Sequence, residues 1–336
     1  MGLTLPENYH SLLGTRETER AIKLTRELFE SELSRKLNLE RVSAPLFVLD
    51  GQGINDDLNG VERSVAFDVP ALGGAIAQIV HSLAKWKRLT LGSYEGYHVG
   101  DGIYTNMNAI RRDEEVDNLH SIYVDQWDWE RVISKEDRNV NYLKTTVQNI
   151  VDAVYDVAEE LNKRYPELKN KISRDITFIT SEELLKMYPG KTAKEREYAI
   201  TKEKKTVFVM QIGDKLSDGT IHDGRAPDYD DWALNGDILF WHDVLDCPLE
   251  VSSMGIRVSP ESLKEQLKKS GHEERAKLYY HKKLLNGELP YTIGGGIGQS
   301  RLCMLLLQKA HIGEVHASLW PSDMIEKCKE KGILFL

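Results

Sequence analysis

Three stretches of this chain combine residue types and spacings that suit chemistry on a phosphorylated substrate: Arg111-Arg112-Asp113-Glu114, the alternating Gln126, Asp128 and Glu130, and the run Gly294-Gly295-Gly296-Ile297-Gly298 closed by Gln299-Ser300-Arg301. Glycines let a backbone approach a ligand closely, and a helix starting behind them offers free N–H groups and a positive dipole end to phosphate. Arg301 falls in the first turn of such a helix and would face the same anion; a tight structural turn explains the glycines equally well. Strand alternation puts Gln126, Asp128 and Glu130 on one face and Asp125, Trp127 and Trp129 on the other. Three polar groups in line suit the floor of a site, with a solvated sheet face as the plain alternative.

Further along, Asp237 and Glu250 lie on successive strand-like runs, where two carboxylates brought together can hold a hard divalent cation such as Mg²⁺. Arg257 lies an odd number of residues beyond Glu250, so it shares that face only if a bulge near Gly255 shifts the register. The polar loop from Gly51 to Gly60 carries Asn55, Asp56 and Asp57, suited to an ammonium group, and His81-Ser82-Leu83-Ala84-Lys85-Trp86-Lys87-Arg88 offers a hydroxyl and several cations at a helix start. Solvent exposure is the plain reading for Lys85 and Arg88.

The elements that must position these residues follow from periodicity. Thr15 to Leu39 reads as a long amphipathic helix, and Val42 to Val48 alternates like a strand with Pro45 inside it, which belongs at an edge, an end or a bulge. Short strands are expected between Val61 and Val80, broken at Gly73-Gly74, followed by a helix within His81 to Leu91. Gly102 to Ile110 and Ser121 to Val132 form an expected antiparallel hairpin with a long charged loop. Helices are expected at Lys135 to Tyr165, in two pieces over Ser181 to Lys202, and from Pro260 to about Asn286; strands at Ile176 to Ile179, Val207 to Ile212, Asp237 to Trp241 and Leu249 to Val258. No Gly-, Pro- or Ser-rich linker divides the 336 residues, so one α+β domain, an antiparallel β-sheet flanked by helices, is the economical architecture.

Composition removes several classes of function. With 41% hydrophobic and 29% charged residues the chain is of the globular type, and no stretch is apolar enough for a membrane span or a signal core. A net charge of −9 without a run of basic residues argues against a broad nucleic-acid surface. Cys247, Cys303 and Cys328 are widely spaced and read as reduced thiols in a cytoplasmic protein.

Together these residues resemble the three signature motifs of the class II aminoacyl-tRNA synthetase catalytic fold: the first over about residues 15–46, the second over about 103–131, the third over about 291–308. The Gln-x-Asp-x-Glu strand and the segment from Ser82 to Lys87 resemble aspartyl- and asparaginyl-tRNA synthetases. The blocks His81–Arg88, Tyr123–Arg131, Arg225–Trp232, Ser252–Arg257 and Ile293–Arg301 are similar to those of the ammonia-dependent (A-type) asparagine synthetases, the aspartate–ammonia ligases, over nearly the whole chain. That resemblance implies asparagine synthesis from L-aspartate, ammonia and ATP through a β-aspartyl adenylate, releasing AMP and pyrophosphate, in a cytoplasmic homodimer with no nucleic-acid or membrane partner. It implies that Arg111 grips the α-phosphate, that Arg301 serves the ATP end, that Asp237 and Glu250 hold Mg²⁺ with ATP, and that Glu114, His120, Arg257 and Gly296 complete the nucleotide pocket. Lys87 would meet a substrate carboxylate, with Ser82, Gln126 and Ser253 as polar contacts, while Asp56, Asp128 and Asp230 share the ammonium groups of the amino acid and of incoming ammonia. Val124 stands where the related synthetases carry Phe, which leaves His120 or Tyr123 to stack on adenine, and the connection from Trp232 to Asp237 is short. A tRNA-charging enzyme, a glutamine-dependent synthetase and an inactive paralogue are the rival readings; for the second, no cysteine precedes Cys247.

Overall fold

The computed structural model describes residues 2–56, 58 and 62–336. Helix α1 spans Thr15–Leu37 and buries Ala21, Ile22, Thr25, Phe29, Leu33 and Leu37, an i, i+3/i+4 stripe, before Asn38 ends it in the left-handed conformation. Next come β1 (Leu39–Arg41), β2 (Phe47–Leu49), β3 (Ala66–Val69), β4 (Ala75–Ile79), α2 (Ala84–Ser93), β5 (Gly102–Ile110) and β6 (Tyr123–Val132). The middle of the chain forms α3 (Val140–Arg164), β7 (Thr177–Thr180), α4 (Ser181–Met187), α5 (Ala193–Lys204), β8 (Thr206–Met210), β9 (Asp230–His242) and β10 (Cys247–Arg257). It closes with α6 (Pro260–Ser270), α7 (Tyr279–Leu285), β11 (Thr292–Gly298), α8 (Gln299–Leu306) and α9 (Ser322–Glu330).

Eight strands build one sheet in the order β1-β5-β6-β11-β10-β9-β8-β7, and β2-β4-β3 form a separate small sheet. The large sheet is antiparallel except at its two ends, where β1 runs parallel to β5 and β7 parallel to β8. Trp127 and Trp129 point to its core side, fully buried, with Phe29 of α1 at 4.7 Å from the Trp127 ring; α3 and α8 belong to the same core. That leaves the Gln126–Asp128–Glu130 face for the site.

The expected strand through Pro45 divides instead. Leu39–Arg41 pairs with β5, Phe47–Leu49 pairs with β4 in the other sheet, and Pro45, lacking an N–H for either ladder, sits in the crossing between them. Strand β9 begins at Asp230, earlier than its apolar part suggests, because Asp230 still pairs with Arg257. Helix α3 starts later than expected, at Val140, where the Asn139 side chain accepts from the Tyr142 N–H at 3.0 Å. Asp57, Gly60 and Val61, which bear on the expected polar loop and the strands after it, lie outside the described residues.

Candidate active site

A cavity opens over the middle strands β6, β11 and β10. Arg111, Glu114, His120 and Arg301 line one end, Ser82, Gln126, Asp128, Asp230, Ser253 and Arg257 the other, with Glu250, Gly296 and Tyr229 also on its walls. Arg257 shares the site face because β10 changes register. Glu250 pairs with Leu239 but Ser252 with Ile238, so Val251 is an extra residue; a second irregularity lies between Gly255 and Arg257.

The glycines act differently from either sequence reading. Gly294, Gly295 and Gly296 are in β11 itself, neither in a turn nor with positive φ. A Cβ on Gly294 would stand 2.1 Å from Glu130 Oε2, one on Gly296 2.1 Å from Gln126 Oε1, and one on Gly295, on the opposite face, 2.5 Å from Met254 Cβ. The missing side chains make room for neighbouring polar side chains to lie flat across the strand.

At the Asp128–Arg257 end the charges are paired among themselves. Arg257 donates to Glu130 at 3.0, 3.1 and 2.7 Å and forms an ion pair with Asp230. Burial would raise the Glu130 carboxyl, but Arg257 and Lys87 outweigh it and hold it below its ordinary range; for Asp230 burial prevails and the shift is upward. Lys87 corrects an expectation. It does not line the cavity but is buried beneath its floor, where its ammonium pairs with Asp128 and donates to the Trp129 carbonyl at 2.7 Å and the Gly295 carbonyl at 3.3 Å. Its position makes it a support for Asp128 rather than a direct contact for a carboxylate. Asp56 likewise lies beyond His81, lining a neighbouring cavity instead of this one.

At the other end the cations are looser. Arg111 pairs with Glu114 at 4.0 Å, and Arg301 lies 3.8 Å from Glu250 Oε1 while donating to the Glu250 main-chain carbonyl at 3.0 Å. Burial would raise the Glu250 carboxyl, yet Arg301, Arg225, Lys194 and Arg111 together hold it lowered. Asp237 is set deeper: it pairs with Arg225 and does not line the main cavity, and burial, with Glu250 nearby, pushes its carboxyl up to about 7. Its Oδ1 is buried with no hydrogen-bond partner among the described residues. That spare carboxylate oxygen and Glu250 are a donor set that fits a Mg²⁺ ion held mainly by phosphates.

Sequence reasoning missed three contributors. Asp125, assigned to the core face, accepts from the Ser300 N–H at 3.0 Å, the Ser300 hydroxyl at 2.8 Å and Arg26 at 2.7 Å, so it anchors the start of α8. Arg225, ahead of β9, holds Asp237, and Tyr229 walls the cavity beneath Arg257, whose guanidinium carbon is 5.8 Å from the ring centroid. All three sit in blocks cited for the resemblance, but no spacing singled them out. Of the two candidates for adenine stacking, both line the cavity; Tyr123 already packs on His316 at 4.5 Å and His120 is bonded to Asp117 at 2.9 Å.

The fold is that of the class II aminoacyl-tRNA synthetase catalytic domain. Asparaginyl-tRNA synthetase from Pyrococcus horikoshii, solved with asparaginyl-adenylate, superposes with a TM-score of 0.63 at 14% identity, covering 91% of this chain and 70% of that one. The Entamoeba histolytica asparaginyl-tRNA synthetase, also with asparaginyl-adenylate, gives 0.61 at 15% identity over 90% and 66%. The particular family is narrower: the aspartate–ammonia ligase family model matches residues 16–332, and this chain belongs to that family. Aspartate–ammonia ligases from Lactobacillus johnsonii and Ruminiclostridium cellulolyticum are 60% and 59% identical, the first over 100% of both chains and the second over 99% of both.

Proposed function

We propose that this chain activates the β-carboxylate of L-aspartate with ATP and passes it to ammonia, making asparagine, AMP and pyrophosphate. The observation that carries the reading is the division of one cavity into two ends: two arginines with little local neutralisation, Arg111 and Arg301, at one, and Asp128, Asp230 and Arg257 at the other, where Lys87 and Glu130 pair with them from beneath the floor. A carboxylate is a poor acyl donor until one of its oxygens becomes part of a phosphate leaving group. The β-carboxylate oxygen attacks the α-phosphorus, the bond to the bridging oxygen breaks, and pyrophosphate departs with that electron pair. Ammonia then adds to the activated carbonyl, AMP leaves, and a proton is released. Arg111 meets the charge that builds on the α-phosphate and Arg301 the adenylate end. Asp237 and Glu250 would hold Mg²⁺ with ATP, and the ion would supply charge neutralisation on the phosphates. Gln126, Ser82 and Ser253 orient aspartate, and the ionic network under Asp128 keeps the floor rigid.

The same reading extends to the setting. The described residues contain no helix long and apolar enough to cross a membrane, and all three cysteines are free, which suits a reducing cytoplasm. Phe47, Leu49 and Phe67 lie on one face of the small sheet, each more than a third exposed, with the two phenylalanine rings 5.2 Å apart; that apolar face supports a homodimer.

The test is an endpoint assay with aspartate, Mg-ATP and either ammonium or glutamine, quantifying asparagine, AMP and ADP. Asparagine and AMP in equal amounts from ammonium are expected. Pyrophosphate exchange without asparagine would favour a tRNA-charging reaction, and ADP in place of AMP would refute adenylation.

A further inference from the structure

The cavity over β6, β11 and β10 continues past Arg111, Glu114, Glu250 and Arg301 into a second chamber of about 340 Å³. Both spaces are lined by those four residues, while Gln126, Asp128, Asp230 and Arg257 line the first alone, so the chamber extends from the arginine end. Three cations reach its wall from outside the signature segments: Arg63, Lys194 and Arg225. Two of them are committed. Arg63 donates to Asp113 from Nε at 2.9 Å and from its backbone N–H at 3.2 Å, and Arg225 is bound to Asp237. Lys194 is held more loosely: its side chain is 63% exposed, and its ammonium meets Glu197, one turn further along α5, at 3.1 Å. Exposed pairs of this spacing bind their lysine weakly. Glu197 does not depend on the contact, because His222 Nε2 lies 2.9 Å from its other carboxylate oxygen. Desolvation works to lower the Lys194 ammonium, but Glu197, Asp223 and Glu250 outweigh it and hold the group above its ordinary range, so it is charged at neutral pH. The base from which it swings is fixed, since Thr192 and Glu195 cap the start of α5 reciprocally.

We propose that this chamber takes the β- and γ-phosphates of ATP and that Lys194, turning from Glu197, is a third cation on them beside Arg111 and Arg301. The proposal rests on the ligase reading. With the α-phosphate at Arg111 and aspartate at the Asp128–Arg257 end, the outer phosphates enter the space on the far side of the arginines. As the bond between the α-phosphorus and the bridging oxygen breaks, its electron pair passes to pyrophosphate, and the Lys194 ammonium donates hydrogen bonds to the departing oxygens without giving up a proton. A point charge on a flexible stem suits a group that moves away, whereas a planar fork suits one that stays.

The experiment compares Lys194→Ala and Lys194→Arg with wild type. It measures KM for pyrophosphate in aspartate-dependent ATP–pyrophosphate exchange, the affinity for Mg-pyrophosphate by calorimetry, and inhibition by AMP, which lacks both outer phosphates. Lys194→Ala removes one charge-assisted hydrogen bond in a water-accessible chamber, which corresponds to a rise of about tenfold in both the KM and the Kd for pyrophosphate. Lys194→Arg restores most of it. AMP inhibits Lys194→Ala as it does wild type, and the melting temperature stays where it was because the Glu197 pair is exposed. Pyrophosphate KM and Kd unchanged in Lys194→Ala would overturn the proposal, as would an AMP inhibition constant rising in step with them, which marks damage to the whole site. Failure of the ligase reading looks different: wild type itself would then make no asparagine from ammonium, while calorimetry still reads the effect of Lys194 on pyrophosphate.

Discussion

Replacing Arg111 by Ala tests the proposed phosphate contact directly. Its guanidinium lines the cavity, and its carboxylate partner, Glu114, is 4.0 Å away, so its charge is available to a ligand, unlike that of Arg257, which is bound to Glu130 and Asp230. A full charge pair at such a distance is worth about 4 kcal/mol at an effective dielectric constant of about 20. Only the charge that develops between ground state and transition state counts toward rate, which brings the expected loss to about 2.7–4 kcal/mol, or a factor of about 10² to 10³. The assay is aspartate-dependent exchange of labelled pyrophosphate into ATP. Arg111→Lys, which keeps the charge but not the planar fork, should fall between the two. Because the side chain is only partly buried and loosely paired, melting temperature should hardly move. Exchange unchanged in Arg111→Ala would refute the assignment, and a loss accompanied by unfolding would refute the argument from its loose pairing.

Gly294→Ala places a methyl group 2.1 Å from Glu130 Oε2 and 2.6 Å from the Trp129 carbonyl oxygen. Disrupting the buried Arg257–Glu130 pair should cost about 3–5 kcal/mol in urea unfolding, and a cost below about 1 kcal/mol would show that the strand has slack. His242 and His311 are each pushed down to about 4 by burial, so both stay neutral in the fold while their unfolded forms take up protons near pH 6.5. Their contribution to stability should thus be fullest above pH 6.5 and fall as the pH drops toward 4, by about 1.4 kcal/mol per pH unit for each group, while the raised Asp237 carboxyl contributes with the opposite sign over the same range; a slope between pH 6.5 and about 5 left unchanged by His242→Gln and His311→Gln would contradict this. Combining Phe47→Asp with Phe67→Asp should shift sedimentation from twice the 38.3 kDa chain mass to the single chain, and a wild-type monomer would dispose of the dimer.

Strand alternation made the two faces of β6 legible, because Trp127 and Trp129 belong to a core and Gln126 and Asp128 do not. Arg111 and Arg301, singled out from local context and resemblance alike, both line the same cavity. What stayed hidden depends on partners far away in sequence. Lys87 is withdrawn from the cavity by carboxylates on β6, and Asp125, on the core face where alternation puts it, is taken up there by Ser300 of α8 and Arg26 of α1. The β11 glycines illustrate the same limit: the residue type signalled close approach, but what approaches is the side chains of Gln126 and Glu130, and no local pattern names them.

The bonds from Asp125 to Arg26 and to Ser300 join segments 99 and 175 residues apart along the chain. Each of the three signature segments therefore finds its final place only when the other two are present, and the loops to be closed are long. Acquisition of nucleotide binding during refolding should accordingly be a late, all-or-none event that trails formation of α1 and α3. A nascent chain still lacking α8 would hold two thirds of this anchor and no competent site, so activity arises only after the final segments are synthesised.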